Sequence, residues 1–175
     1  MRRITSTAIL IAICVVGRVL FQFIPSVQPV TSIVLLVVMY RGLFDGILIS
    51  SLTMVITGMY FGMGHWVIGQ IICYVVLCLL SSMLFRVKFI QKSKLLTASV
   101  FFLSGIVYGF VISCVEYKLF GFTAFLPYYL AGISFDVLQS IGNLLFFLLL
   151  SPILMKNKYF YQFISGSSFE NKRKR

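Results

Sequence analysis

Apolar runs of bilayer-crossing length follow one another along almost the entire chain, and no other feature restricts its fold as severely. In hydrocarbon every backbone N–H and C=O must find its partner inside the protein, so runs of this kind form α-helices. A crossing of the roughly 30 Å hydrocarbon layer takes about 20 residues. Of the 175 residues, 60% are hydrophobic and 11% charged. Mean hydropathy is +1.03, which excludes an ordinary soluble domain. The length leaves no room for a separate catalytic domain beside such a bundle.

Charge and turn residues divide the runs into six segments, at about residues 4–24, 27–43, 47–61, 67–85, 95–115 and 135–155. Arg41, Gly42, Asp45 and Gly46 form a charged turn between the second and third segments. Phe61-Gly-Met-Gly-His-Trp66 separates the third from the fourth. Residues 116–134 are apolar and aromatic but broken by Gly121, Pro127 and Gly132. They read as a partly embedded loop or short helix, not a seventh span. The expected fold is an all-α integral membrane protein, a six-transmembrane-helix bundle over residues 1–155 with a basic tail over 156–175.

Six spans put both termini on one side, and the charges agree. The net charge of +11 comes from 15 Lys and Arg against 4 Asp and Glu. Arg2, Arg3, Arg41, Arg86, Lys88, Lys92, Lys94, Lys156, Lys158 and the closing Lys172, Arg173, Lys174 and Arg175 all fall on the terminal side. Lys118 alone falls opposite, and Arg18 lies within a span. The excess of bases marks the cytoplasmic side, so both termini are expected there. These bases orient the chain and attract anionic headgroups of the lipid bilayer, which accounts for them without nucleic acid. Arg2-Arg3 before an apolar run imitates a signal peptide, but no small-residue cleavage site follows and Arg18 interrupts the run, so a retained first span is expected.

Polar side chains are costly in hydrocarbon, so their positions carry most of the functional information. Arg18 and Gln22 lie four apart in the first segment. Trp66, Gln70 and Tyr74 form a stripe along the fourth, and Asp136, Gln139 and Asn143 form another along the sixth. All fall in the outer half under the expected topology, which directs three helices toward one outward-facing cavity. The competing structural reading has Arg18 pairing with Asp136 or Glu116 and the amides holding helices together. Trp66, Tyr128 and Tyr129 also suit an interfacial aromatic belt. Cys14, Cys73, Cys78 and Cys114 lack metal or redox spacing, and His65 has no partner ligand, so no metal and no cofactor are expected. There is no phosphate-binding G-x-x-x-x-G-K-[ST] segment, no intramembrane His to activate Ser104, and Asp45 lies across the membrane from Asp136. An enzyme is therefore not expected. Ala8 and Ala12 form a small-xxx-small pair, which suits close approach of a helix from this chain or from a partner.

Three features together resemble a known family: the size with six spans, Ala8-x-x-x-Ala12, and two local stretches. The stretches are Pro25-Ser-Val-Gln28-Pro-Val-Thr31 and Phe61-Gly-Met-Gly-His-Trp66 with Gln70. The chain resembles the substrate-binding S component of energy-coupling factor (ECF) vitamin transporters, in a subgroup associated with cobalamin. Met63 and His65 stand where that subgroup more usually has Gln and Pro. The resemblance implies a subunit that captures a vitamin from outside, while a transmembrane scaffold (T) subunit and two ABC-type ATPases supply coupling and energy. It implies that Ala8 and Ala12 meet the scaffold. It also implies substrate contacts from Arg18, Gln22, Gln28, Trp66, Gln70, Tyr74, Tyr128, Tyr129, Asp136, Gln139 and Asn143. The vitamin expected first is cobalamin, with pantothenate, folate and riboflavin as alternatives. A stand-alone secondary carrier, a membrane-embedded enzyme using Asp136 or Glu116, and a scaffold without ligand are the readings from other classes.

Overall fold

A computed structural model of the chain describes residues 2–120, 125–156 and 164. The described residues form seven helices and no strand: α1 Arg2–Leu20, α2 Val30–Arg41, α3 Leu43–Phe61, α4 His65–Leu84, α5 Lys88–Lys92, α6 Lys94–Phe120 and α7 Phe125–Lys156. Five of them, α1, α3, α4, α6 and α7, are long and apolar enough to cross a membrane. The basic tail expected over 156–175 lies, apart from Lys156 and Ile164, outside the described residues.

The second expected span, 27–43, is shorter as a helix. Pro25 and Pro29 exclude a continuous helix through the α1–α2 connection. Gly42, at φ 105°, ends α2 by donating its N–H to the carbonyls of Val37 and Val38. The 12 residues left between them make a helix about 18 Å long. That is well short of the hydrocarbon thickness. This helix is nevertheless the centre of the molecule. It packs against α1, α3, α4, α6 and α7, and every residue from Val30 to Val38 is buried. A helix surrounded on all sides needs no polar face, and Val-Thr-Ser-Ile-Val-Leu-Leu-Val-Val supplies none beyond two hydroxyls.

The stretch 116–134 is expected from sequence as a partly embedded loop or short helix. Among the described residues it is helical, because α6 runs on to Phe120 and α7 already begins at Phe125. Pro127 falls in the first turn of α7, where a missing N–H costs nothing. Gly132 sits in the helix with open space around it. At 27 and 32 residues, α6 and α7 are about 40 and 48 Å long.

These two helices form the most extensive pairing in the molecule. Gly105 and Gly109, four apart on α6, allow their close crossing. A Cβ on Gly105 would lie 2.5 Å from the backbone nitrogen of Ser140, and one on Gly109 would lie 1.9 Å from the Asp136 carboxyl carbon. Asp136 and Ser140, also four apart, ride directly over the two glycines. Deeper in the bundle Ser32 donates to the Asn143 carbonyl at 2.9 Å, and the Asn143 amide donates to Ser104 Oγ at 3.1 Å, tying α2, α7 and α6 together.

Candidate functional site

The shortness of α2 determines where a site can form. Its C-terminal Arg41 sits beside Ser6 and Thr7 of α1 and near Asp45 of α3, at what we term the basic end of the bundle. From there α2 rises about 18 Å and stops, while its neighbours continue toward the far end. The space above its first turn is a cavity of about 160 Å³. Thr31 and Gln28 form its floor and inner wall, and Ser26 of the α1–α2 connection contributes beside them. Ser26 is held at φ 60°, a left-handed conformation uncommon outside glycine.

Arg18 enters this cavity from the last turn of α1 and is only 7% exposed. Its Nη2 donates to Gln70 Oε1 at 2.8 Å, and its Nη1 contacts the sulfur of Met54. Both partners are neutral. Among the described residues no carboxylate lies within ion-pair distance of Arg18, and the pairing with Asp136 or Glu116 weighed from sequence is not formed. Glu116 instead accepts a hydrogen bond from the Tyr128 hydroxyl. The guanidinium charge is thus solvated by an amide, a thioether and the cavity. The backbone N–H groups opening α2 add positive potential at the same place, since the first turn of a helix has no intrahelical acceptors for them.

Tyr74 and Tyr108 close the side of the cavity. The Tyr74 hydroxyl bonds Thr31 Oγ1 at 3.2 Å, and the two phenol rings meet edge-on with centroids 5.6 Å apart. Gln139 of α7 completes the wall. A second cavity of about 400 Å³ adjoins the first, and Ser26, Tyr108 and Gln139 line both. Its remaining wall comes from Ile112 and Ser113 on α6 and from Tyr128, Ala131, Gly132, Phe135 and Asp136 on α7. Asp136 is 8% exposed, and no hydrogen-bond donor reaches its Oδ2 among the described residues.

The structure therefore gathers Arg18, Gln28, Gln70, Tyr74 and Gln139 around the first cavity and Tyr128, Asp136 and Gln139 around the second. Four other candidates lie elsewhere. Gln22 is exposed in a turn beyond Leu20, so it does not share a helix face with Arg18. Trp66 packs half-buried against the core at the start of α4. Tyr129 stacks on Phe125, with centroids 5.9 Å apart and planes within 4°, and meets Phe110 edge-on. Asn143, 1% exposed, is committed to the contact with Ser104 one turn deeper.

Sequence reasoning missed Ser26, Thr31 and Tyr108. Tyr108 carried a usable signal, a phenol in the middle of the apolar run 95–115. Thr31 lay inside the quoted Pro25–Thr31 stretch, but its part in the site depends on α2 ending beneath it. The Gly105-x-x-x-Gly109 pattern that seats Asp136 was also legible and passed over. The chain matches no known protein family, no curated protein and no solved structure.

Proposed function

We propose that this protein is the substrate-capture subunit of an ECF-type vitamin uptake transporter, with six membrane segments, both termini in the cytoplasm of a bacterium, and a cavity opening outward. The observation that carries the proposal is Arg18. It is a buried guanidinium with no carboxylate partner among the described residues, beside the opening turn of α2 and on the wall of a polar cavity. A charged side chain inside a membrane bundle is costly, by up to about 2.5–3.5 kcal/mol at the centre of a span on insertion scales, and marks a ligand path when no internal ion pair accounts for it. An anionic group of the ligand supplies the missing charge. Gln28, Gln70, Gln139, Thr31 and Tyr74 then offer both donors and acceptors around it, the few placed polar groups typical of such pockets.

In this reading α2 is the sixth segment, sheltered from lipid by the other five long helices, so its 12 residues need not span the hydrocarbon layer alone. The reading also gives a role to Ala8 and Ala12, both exposed on α1. A transmembrane scaffold docks on that face, and paired ATPases outside this chain supply the energy. Among the candidate vitamins, the cavity volumes favour a small acid such as pantothenate. Cobalamin, suggested by the Pro25–Thr31 and Phe61–Gln70 stretches, is larger than either space and requires the far-end connections 21–29 and 62–64 to part.

The test is equilibrium binding of pantothenate, folate, riboflavin and cobalamin to purified protein in nanodiscs. One of the acids is expected to bind, and Arg18→Met is expected to weaken it by about 100-fold or more. A wild-type protein that binds none of the four, or an Arg18→Met variant that binds as wild type, refutes the proposal. Replacing Ala8 and Ala12 with leucine is expected to abolish copurification with the scaffold and leave vitamin binding intact; loss of both would assign the pair to internal packing.

A further inference from the structure

Arg18 and Asp136 are the two buried charges at the far end of the bundle, and the capture reading rests on Arg18 alone. The Asp136 carboxylate lies flat over Gly109, held there because α6 carries no side chain at that point. It is more than nine-tenths buried, lines the larger cavity, and has no donor for Oδ2 among the described residues. The hydroxyls of Ser26, Tyr108, Ser113 and Tyr128 line that cavity, and none of them donates to Oδ2. Ser140 donates to the backbone carbonyl of Asp136 at 2.8 Å and not to its carboxylate, and Tyr128 donates to Glu116. An acceptor buried without a donor costs about 1–3 kcal/mol, so it persists where something outside the chain satisfies it. Ser26, Tyr108 and Gln139 border both cavities, which puts Arg18 and Asp136 in two adjoining spaces with a shared wall.

Building on the capture reading, we infer that Asp136 is a second recognition point for the same molecule, taking a hydrogen-bond donor, hydroxyl or ammonium, from the end opposite the group held by Arg18. The substrate class is then a small elongated molecule, anionic at one end and donating at the other. A simple fatty acid, anionic with an inert tail, leaves Asp136 as it is and is rejected by the same geometry that holds the true ligand.

Binding calorimetry on nanodisc-embedded protein separates the two donor types. The probes are pantothenate, which has a carboxylate and terminal hydroxyls, and 4-aminobutyrate, which has a carboxylate and an ammonium. With a hydroxyl donor, Asp136→Asn keeps pantothenate affinity within about tenfold because an amide oxygen still accepts, whereas Asp136→Ala loses about 100-fold. With an ammonium donor, both variants lose about 100-fold for 4-aminobutyrate. If Asp136→Ala binds its probe as wild type while Arg18→Met does not, this inference falls and the capture reading stands. If wild type binds neither probe, this inference falls and the capture reading is decided by the four-vitamin panel; if Arg18→Met binds as wild type, both fall. A readout independent of variant folding is labelling of wild-type protein by a hydrophobic carbodiimide, followed by mass spectrometry. Asp136 is expected to react and bound probe to protect it, with Asp45 inert; absence of label at Asp136, or label unaffected by bound probe, overturns the inference.

Discussion

The two ends of the bundle handle the same residues in opposite ways. At the basic end Arg41 donates to Thr7 Oγ1 at 3.0 Å, to Ser6 Oγ at 2.9 Å and to the carbonyl of Ile164, and Arg3 pairs with Asp45 at 2.6 Å. At the far end, among the described residues, Arg18 has only neutral partners and Asp136 has an open oxygen. Asp45 and Asp136 are almost equally buried, at 5% and 8% exposure, so burial does not separate them. Satisfaction does. Buried polar groups in proteins are nearly always partnered, and where they are not, strain, an unseen ligand or chemistry accounts for it. The basic end uses its charges to fasten α1, α2 and α3 together; the far end keeps its charges in reserve around a space.

The most severe way to break this contrast is to fill the groove that seats Asp136. Gly109→Val would place its Cβ within 2.0 Å of all three carboxyl atoms of Asp136, on the face of α6 that packs against α7. Such overpacking usually costs about 1–3 kcal/mol and more when backbones must separate. We expect little monodisperse protein after size exclusion in detergent. Gly132→Val, with nothing within 4 Å of its added Cβ, is the matched control on the same hairpin and should purify normally. The next largest effect is expected at the basic end. Arg41→Met removes three hydrogen bonds from a half-buried guanidinium and leaves the hydroxyls of Ser6 and Thr7 without their donor. A loss of about 2–3 kcal/mol follows, read as a lower thermal midpoint with ligand affinity unchanged.

The same substitution at the far end should have the other sign. Arg18→Met removes a buried charge that no carboxylate compensates, and exchanging such a charge for an apolar side chain is commonly neutral or stabilising. The ligand-free variant is expected to melt at or up to about 1 kcal/mol above wild type while losing affinity, the usual trade between stability and function at a binding site. A lower midpoint in the absence of ligand would show that Arg18 holds the fold together through Gln70, and the contrast between the ends would disappear.

Much of this was legible in the sequence, and the failures share a cause. Span-length apolar runs gave an all-helical membrane bundle, because hydrocarbon leaves the backbone no alternative. The polar stripes on α4 and α7 named Gln70, Tyr74, Asp136 and Gln139, and the structure sets these four around the two cavities, because helical spacing fixes which residues share a face. Their depth was harder to read. Asn143 continues the α7 stripe but lies one turn too deep, where Ser104 engages it. Gln22 follows Arg18 by four residues, but α1 has already ended at Leu20. Residues 116–134 looked broken because Gly and Pro weigh heavily in sequence, whereas Pro127 falls at a helix start and Gly132 costs little in so long a hairpin. That α2 stops early, and so creates the cavity, depends on five other helices sheltering it, which no local pattern records.

The smallest expected effect also belongs to the basic end and limits how far its ion pair can be credited. Arg3 and Asp45 form a short contact, yet the Arg3 side chain is 63% exposed while that of Asp45 is 6% exposed. An exposed arginine gains little from such a pair, because water already solvates it and ordering its long side chain offsets the attraction. Asp45 is not left uncompensated when Arg3 is removed, since it also acts electrostatically on Arg41. Arg3→Gln should therefore shift stability by less than about 1 kcal/mol, with the difference from wild type shrinking further as salt is raised. The measurement is the thermal midpoint of both proteins at low and high ionic strength. A large, salt-independent loss would mean that Arg3, not Arg41, is the principal fastening of α1 to α3, and that the basic end depends on a charge held largely in water.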